Sequence, residues 1–265
     1  MEATGQLLKM KTELNDQVQY SLRLGEQLIG LNSYIGKEIS LKYTGQILCV
    51  NCGKPTKKSF GQGFCYPCFI NSPENSDCIV KPELCRGHLG EGRDPQWEKE
   101  HHVQPHYVYL ALSSDVKVGV TRNTQVPTRW IDQGATAAII LAEVPYRQLA
   151  GLIEVELKKH MPDKTNWQRM LKNEVMQGVD LAERKNTAAG LLPADLKQYV
   201  LNENHITNLN YPVLEYPVKV SSMNFEKNPE IKGTLRGIKA QYLLFDGGRV
   251  INIRNQSGYV VKVEG

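Results

Sequence analysis

Residues 106–121 read HYVYLALSSDVKVGVT, and this stretch decides how the centre of the chain folds. Residues 107–112 and 116–121 are rich in β-branched, aromatic and aliphatic side chains, a composition typical of strands. The three residues between these runs are Ser-Ser-Asp, which favour a tight turn because their side chains bond to nearby backbone. The stretch therefore predicts a β-hairpin.

Downstream of the hairpin, the pattern alternates between helix and strand. Pro127 and Gly134 bracket a short helix, because proline favours the first helical position and glycine the position after the last. Residues 137–144 read AAIILAEV and predict a central, buried strand. A capping box at Thr165 and Gln168 predicts the start of a later helix. The order predicted for this segment is β-β-α-β-α, which belongs to the α+β class.

The helix between the strand 137–144 and the capping box has a clear apolar stripe. Apolar residues recur along it every four positions and are expected to face the core: Leu149, Ile153, Leu157 and Met161. Glu154 lies off this stripe, so its side chain is expected to point to the sheet edge or to solvent.

All six cysteines lie upstream of the hairpin, and the first four follow the spacing C-x2-C-x12-C-x2-C. These four are Cys49, Cys52, Cys65 and Cys68. A C-x2-C pair on a tight turn directs two thiolates to one point, and two such pairs form a closed tetrahedral zinc site. A redox pair or disulfides are the alternative, but disulfides are typical of secreted scaffolds, whereas here the rest of the chain contains no cysteine and its start does not resemble a signal peptide. The spacing predicts a structural zinc ion.

A second zinc site is predicted from Cys78, Cys85 and His88. Cys85 and His88 have the spacing of a metal-binding knuckle, and Cys78 lies seven residues upstream of Cys85. The fourth ligand would be one of the histidines that follow, which are His101, His102 and His106. We take His102 as the candidate. The alternative is a pair of buried free thiols beside a solvent-facing histidine.

The chain has 265 residues, of which 41% are hydrophobic. It can therefore bury a core and is long enough to divide into two or more domains. No run approaches 18 apolar residues, and the first five residues, MEATG, do not resemble a signal peptide. Together with reduced, metal-binding cysteines, these features predict a cytoplasmic protein without a membrane span.

Charge is distributed unevenly along the chain, whose formal net charge is +4. Residues 219–265 contain eight Lys or Arg and four Asp or Glu, so this tail carries an excess of four positive charges, equal to that of the whole chain. A basic C-terminal segment suggests an anionic partner, and nucleic acid is the first candidate. A solvated basic face is the alternative.

Both ends of the chain predict small β modules. Residues 1–48 alternate apolar and polar side chains, and residues 241–253 contain a hairpin pattern with Asp-Gly-Gly at the turn. This pattern is typical of an OB-like or SH3-like half-barrel, and the N-terminal strands are the candidates to complete it. The predicted organisation is an N-terminal β module (1–48), a zinc-binding cysteine-rich segment (49–105), an α/β unit (106–182), a helical connection (183–210) and a basic C-terminal β module (211–265).

Several residues of the α/β unit carry a family resemblance. They are the run Tyr107-Val108-Tyr109, the run from Lys117 to Thr121, Arg129, Glu154 and Asn166. Over residues 107–171, about a quarter of the chain, this unit resembles the GIY-YIG nuclease superfamily. The resemblance implies a three-stranded antiparallel sheet with flanking helices. The whole chain also resembles an uncharacterised bacterial family that joins a cysteine-rich segment to such a unit.

The resemblance implies particular site residues. Tyr109 matches the tyrosine of the first motif and Gly119 the glycine of the second. Arg129, Glu154 and Asn166 match the superfamily's arginine, its metal-binding glutamate and an asparagine often found after it.

Two positions depart from the family pattern. Tyr107 stands where the first motif has glycine, and Lys117 stands where the second motif has its tyrosine. The second change removes one expected catalytic hydroxyl and puts an amine in its place. If burial lowers the pKa of this amine, Lys117 could act as a base.

The expected function is hydrolysis of phosphodiester bonds in DNA or RNA. Glu154 would hold one Mg²⁺ or Mn²⁺, Arg129 would bond to the phosphate, and Tyr109 would position or deprotonate the attacking water. Lys117 and Asn166 complete the candidate site. The alternative is a protein that binds nucleic acid or the ribosome with the same fold but without cleavage.

Overall fold

The computed structural model describes all residues from Met1 to Gly265. Contacts between Cα atoms divide the chain into unit 1 (residues 1–70, 171–173 and 210–265) and unit 2 (residues 71–170 and 174–209). The strands are β1 (Glu2–Glu13), β2 (Gln19–Leu24), β3 (Gln27–Gly30), β4 (Glu38–Ile47), β5 (His106–Leu112), β6 (Val116–Arg122), β7 (Ala137–Val144), β8 (Ile206–Asn208), β9 (Ser221–Met223), β10 (Glu230–Lys239), β11 (Tyr242–Phe245), β12 (Arg249–Asn252) and β13 (Tyr259–Glu264). The helices are α1 (Tyr66–Asn71), α2 (Pro95–His101), α3 (Thr128–Asp132), α4 (Arg147–Lys158), α5 (Trp167–Leu171), α6 (Leu181–Leu191) and α7 (Ala194–Lys197).

Unit 1 is built on a nine-stranded sheet with the order β3-β2-β1-β13-β4-β10-β11-β12-β9. Neighbouring strands are antiparallel, except that β9 runs parallel to β12. The pairing of β13 with β1 and β4 agrees with the expectation that N-terminal strands complete the C-terminal β module, and strands from both ends thus form one sheet. The C-terminal strand β13 lies between β1 and β4, so removing residues 211–265 would take out the middle of the sheet.

The hairpin of unit 1 that was predicted around Asp-Gly-Gly is present, with β11 and β12 as its strands. Gly247 and Gly248 have φ values of +64° and +72°, which glycine adopts at little cost. Local turn chemistry was enough to predict this pairing.

Unit 2 contains a four-stranded antiparallel sheet with the order β6-β5-β7-β8. Its first three strands agree with the predicted hairpin and central strand, and the mixed α+β class is confirmed. The fourth strand, β8, lies in the segment predicted as a helical connection (183–210). It has only three residues, which is too short for the alternation of apolar and polar side chains that would predict a strand. The sheet therefore has one strand more than the family resemblance implies.

The core of unit 2 lies between the sheet and helices α4 and α6. Ile153 and Leu157 of α4 are fully buried and belong to one cluster with Leu110 and Leu141 of the sheet, and the other two residues of the predicted stripe are partly buried beside them. The longest helix, α4, has 12 residues, and none of the helices has the length and hydropathy required to cross a membrane.

Gly151 of α4 is expected to be essential for packing in unit 2, because a Cβ atom there would collide with the backbone of Pro82 and Glu83. Alanine normally stabilises a helix relative to glycine by about 1 kcal/mol. We expect Gly151→Ala to destabilise the protein by about 1–3 kcal/mol instead, as measured by urea unfolding. Gly190→Ala in α6 is the matched control, since no atom lies within 4 Å of its Cβ position. A stabilising Gly151→Ala substitution would contradict this packing.

Candidate metal centres and a candidate active site

Four cysteine sulfurs of unit 1 lie within 4.8 Å of one another, where the sequence predicted the first metal site. Cys49 and Cys52 follow the end of β4, whereas Cys65 and Cys68 lie at the start of α1. The Sγ atoms of Cys52 and Cys65 are 3.8 Å apart, and Asn51 Nδ2 donates to Cys68 Sγ at 3.3 Å. In a tetrahedral site with metal–sulfur bonds of about 2.3 Å, neighbouring sulfurs are about 3.8 Å apart. This four-cysteine cluster could therefore hold a metal ion.

Two backbone turns bring the cysteine pairs together. In the first turn, the Gly53 amide donates to the Cys49 carbonyl oxygen at 2.9 Å, and Gly53 has a φ of +70°. In the second turn, Phe60 and Phe64 exchange two backbone hydrogen bonds of 2.9 Å. None of the six cysteines forms a disulfide, so the disulfide alternative is not what the structure has. The ligands are thus positioned by the backbone.

A second group of ligating side chains lies in unit 2 and consists of Cys78, Cys85, Glu98 and His102, all of which are buried. Their ligand atoms also lie within 4.8 Å of one another. His102 Nδ1 contacts the Glu98 carboxylate and lies 3.5 Å from Cys85 Sγ and 3.9 Å from Cys78 Sγ. This second metal group could therefore hold another ion.

The fourth member of the second metal group is Glu98, in the place that the sequence analysis gave to His88. The ring of His88 stacks on Tyr146 with a centroid distance of 4.4 Å and an interplanar angle of 7°. His101 stacks on an indole ring at 4.2 Å, and His106 Nδ1 lies 2.7 Å from a backbone carbonyl oxygen. Of the three candidate histidines, the structure thus brings His102 into the group.

Glu98 was missed because its ligand role depends on a helix that the sequence analysis did not assign. Helix α2 begins at Pro95, after Asp94, whose carboxylate accepts two backbone N–H bonds of 3.1 Å at the helix start. Residues four apart on a helix share a face, so Glu98 and His102 point to the same side. The Asp-Pro pair was the available signal.

Electrostatics in the second metal group favour a bound cation. The side chain of Cys85 lowers the pKa of the Cys78 thiol to about 4, while Cys78 raises the pKa of Cys85. Burial raises the pKa of the Glu98 carboxyl. One thiolate therefore forms readily, whereas the pKa values of Cys85 and Glu98 are raised and disfavour further ionisation. A bound divalent cation would stabilise the ionised form of each ligand.

Arg147 connects the second metal group to helix α4. Its Nε donates to the Cys78 carbonyl oxygen at 3.0 Å and its Nη2 to the Ile79 carbonyl oxygen at 2.9 Å. The backbone N–H of Arg147 donates to the His102 carbonyl oxygen at 2.9 Å. These bonds fix the start of the helix that carries Glu154.

Tyr109 and Gly119, which carry the two strand motifs, are direct neighbours across β5 and β6. The side chain of Tyr109 is fully buried, and its hydroxyl donates to Gln133 Oε1 at 2.8 Å. A Cβ atom at Gly119 would lie 2.6 Å from that hydroxyl oxygen. Glycine is therefore needed for the tyrosine ring to cross the neighbouring strand.

Lys117 and Arg129 lie in the same electrostatic environment as Tyr109. Lys117 is 3% exposed, and burial, together with the charge of Arg129, lowers its pKa to about 7. Burial raises the pKa of Tyr109, although the charge of Arg129 and a hydrogen bond to it act in the opposite direction. Strands β5 and β6 and helix α3 thus bring these three side chains together.

Glu154 completes this polar cluster, but its environment differs from the expected one. It is only 8% exposed, so of the two expected directions the one toward solvent is wrong. Its Oε2 lies 3.3 Å from Lys158 Nζ, which is also 3.3 Å from Asp163 Oδ2. Burial raises the pKa of Glu154, and Lys158 opposes that rise. The charge of Glu154 raises the pKa values of both Tyr109 and Lys117 slightly, so the carboxylate is electrostatically coupled to them, while its hydrogen-bonding partner is Lys158.

Asn166, the remaining candidate, is exposed and has a structural role. Its Oδ1 accepts the backbone N–H of Arg169 at 3.1 Å, which caps the start of α5. The capping box predicted at Thr165 and Gln168 is therefore wrong by one residue, and the Thr165 hydroxyl instead lies 3.2 Å from that of Ser113.

Comparison with known proteins connects the chain to one family. The family model described as "Protein of unknown function (DUF2797)" matches residues 36–261. No curated protein and no solved structure matches the chain significantly. The matched range includes both metal groups and the polar cluster, and the family description names no activity.

Substitution of a single ligand should separate the true members of the second metal group from their neighbours. We expect elemental analysis of the purified protein to find up to two metal ions per chain, and Glu98→Gln or Cys85→Ser to lose about one of them. His88→Ala is the matched control and should keep both, because its ring stacks outside the group. Metal loss in His88→Ala with full retention in Glu98→Gln would contradict the assignment.

Proposed function

The chain belongs to this family, and we propose from its own residues that it is a zinc-stabilised, divalent-metal-dependent, GIY-YIG-like nuclease that hydrolyses phosphodiester bonds in DNA or RNA. The observation that carries the proposal is that Tyr109 and Lys117, on paired strands, and Glu154, on α4, are all buried, with Arg129 hydrogen-bonded to Tyr109. Buried ionisable groups with shifted pKa values are typical of functional sites.

The order of elements in unit 2 supports a likeness to the GIY-YIG fold. Strands β5, β6 and β7 with helices α3 and α4 follow the order β-β-α-β-α, and the motif residues Tyr109 and Gly119 are paired across the first two strands. The fourth strand, Tyr107 in place of the first glycine and Lys117 in place of the second tyrosine are departures from that pattern.

Lys117 is the best candidate for the general base. With a pKa of about 7, its amine is neutral in a substantial fraction of molecules near neutral pH, so it can accept a proton from water. Tyr109 is less suitable, because burial raises its pKa and its hydroxyl already donates to Gln133. We therefore assign Tyr109 a positioning role beside the base.

Arg129 and Glu154 would act on the charge of the phosphodiester. Arg129 is only partly buried, so its guanidinium could form two parallel hydrogen bonds to phosphate oxygens. Glu154 would hold the divalent cation, which would neutralise charge on the phosphoryl oxygens. A divalent cation would take the place of the Lys158 ammonium, which lies between this carboxylate and that of Asp163.

Zinc is proposed for both metal groups because thiolate and imidazole ligands favour it over magnesium or calcium. Four protein ligands in each group leave no open position at a tetrahedral ion, so both ions would be structural. The second ion would fix the loop that Arg147 binds at the start of α4.

A non-catalytic protein that binds nucleic acid or the ribosome is the alternative, and two observations favour it. The second motif tyrosine is replaced by Lys117, and the Glu154 charge is partly neutralised by Lys158. Such a protein would bind nucleic acid and would cleave nothing.

Substitution of Glu154 tests the enzyme against the binding protein. If Glu154 holds the catalytic cation, Glu154→Gln should reduce Mg²⁺- or Mn²⁺-dependent cleavage by at least about a hundredfold, and Arg129→Ala should do the same. Glu156→Gln on the same helix is the matched control, because the Glu156 carboxylate does not belong to the polar cluster. It pairs with Lys159, with 2.6 Å between the two charged atoms. Cleavage is measured on panels of DNA and RNA, and thermal unfolding checks that each variant folds. Equal trace activity in all variants would leave the alternative function.

The pH dependence of cleavage tests the role of Lys117. A base with a pKa of about 7 is protonated and inactive at lower pH, so the single-turnover rate should rise about tenfold per pH unit below 7 and level off above it. Lys117→Met keeps most of the volume and should lose both the rate and this slope. Lys159→Met, at an exposed position just after α4, should keep both. An unchanged profile in Lys117→Met would rule out Lys117 as the base.

A further inference from the structure

Three aromatic rings form a cluster beside the second cysteine pair of unit 1. The ring centroid of Phe60 is 5.3 Å from that of Tyr66 and 6.1 Å from that of Phe69. Tyr66 is 56% exposed and Phe69 is 36% exposed, although both are large side chains whose burial would stabilise the fold. Adjacent exposed aromatic rings of this kind indicate a binding surface.

The two exposed rings are held on a fixed support. Tyr66 and Phe69 are three residues apart on α1, so they share one face of that helix. The backbone N–H of Phe69 donates to the Cys65 carbonyl oxygen at 2.8 Å, and Cys65 and Cys68 belong to the four-cysteine cluster. Metal binding would therefore fix the orientation of both rings.

The stretch of sequence that carries these rings is basic. Residues 49–73, which contain the first four cysteines and the three rings, include Lys54, Lys57 and Lys58 but no Asp or Glu. The ammonium of Lys58 lies 5.5 Å from the centroid of the Phe60 ring, and Arg254 Nε donates to Gln62 Oε1 at 2.5 Å in the turn between the cysteine pairs. The positive charges of these side chains exceed the net charge of about −2 that four thiolates and one divalent ion carry together.

In the basic tail, by contrast, four of the eight basic side chains form salt bridges within unit 1. Its salt bridges are Lys232 with Glu38, Arg236 with Glu215, Arg249 with Asp246, and Lys262 with Glu2 and Glu264. Lys239 is fully buried. The positive excess of this tail is therefore largely used inside the fold, whereas the lysines around the rings lie in a stretch without carboxylates.

We propose that this aromatic surface, defined by Phe60, Tyr66, Phe69, Lys57 and Lys58, binds single-stranded nucleic acid. Bases would stack on Tyr66 and Phe69, and the two lysines would contact the phosphates. Single strands fit because a duplex hides the faces of its bases in its own stack, whereas unpaired bases can stack on exposed rings. The inference deepens the proposed nuclease function by naming the substrate class, and it rests on that function only for nucleic acid as the ligand.

Binding to labelled oligonucleotides tests the proposal without cleavage. Fluorescence anisotropy of the full-length, metal-loaded protein is measured, without added Mg²⁺, on dT and rU strands of about 12 nucleotides and on a duplex of the same length. Tyr66→Ala combined with Phe69→Ala should weaken single-strand binding by at least about tenfold. Tyr66→Phe should bind like the wild type, since it keeps the ring. Leu28→Ala, at a 54% exposed position of the same unit, is the matched control and should have no effect.

The lysines are tested by the salt dependence of binding. Lys57→Gln combined with Lys58→Gln should reduce the slope of log affinity against log salt by about 1.4, which is about 0.7 for each lost phosphate contact on a single strand. The ring variant should keep the wild-type slope, because stacking releases no counterions. This difference separates stacking from charge.

The proposal is overturned if the wild type binds neither single strand, if it prefers the duplex, or if the ring variant binds like the wild type while keeping its metal. A ring variant that loses only self-association would also overturn it, in favour of a protein partner. The two proposals fail separately: stacking-dependent binding without any cleavage contradicts only the nuclease, and cleavage with ring-independent binding contradicts only the aromatic surface.

Discussion

The close contact between helix α4 and the backbone of Pro82 and Glu83 is the constraint on which unit 2 depends. The helix can approach this closely because Gly151 has no side chain at the point of contact. Arg147, one turn earlier on the same helix, bonds to the loop of the second metal group, and Glu154 follows within the next turn. One rigid helix therefore fixes the second metal group and the polar cluster relative to each other.

The polar cluster contains ionisable side chains that are buried in an environment that disfavours charge. Burial lowers the pKa of Lys117 and raises those of Tyr109 and Glu154, so each group moves toward its neutral form. Such an arrangement costs stability unless the charges are paired, and here Lys158 pairs with Glu154. The cost is easier to understand at a site that uses shifted pKa values than in a purely structural core.

In unit 1, the number of basic residues in a segment does not indicate where a binding surface lies. The C-terminal tail is basic by count, yet most of its cations lie in salt bridges or in the core. The four-cysteine cluster, directly after β4, presents exposed rings in a stretch that lacks carboxylates. Formal charge along the chain was therefore a weaker guide to a binding surface than the partners of each cation.

The sequence by itself determined the features that depend on neighbouring residues. The alternation around Ser-Ser-Asp specified the hairpin of β5 and β6, the apolar repeat specified α4, and the cysteine spacing specified the first metal group, because turn chemistry and side-chain periodicity act over a few residues. Only the tertiary structure decided that β13 lies between β1 and β4, that Glu98 takes the place given to His88, and that Glu154 is buried. Each of these depends on contacts between elements that are distant in the sequence. A local sequence pattern does not specify which distant element packs against a face or supplies the last ligand of a site.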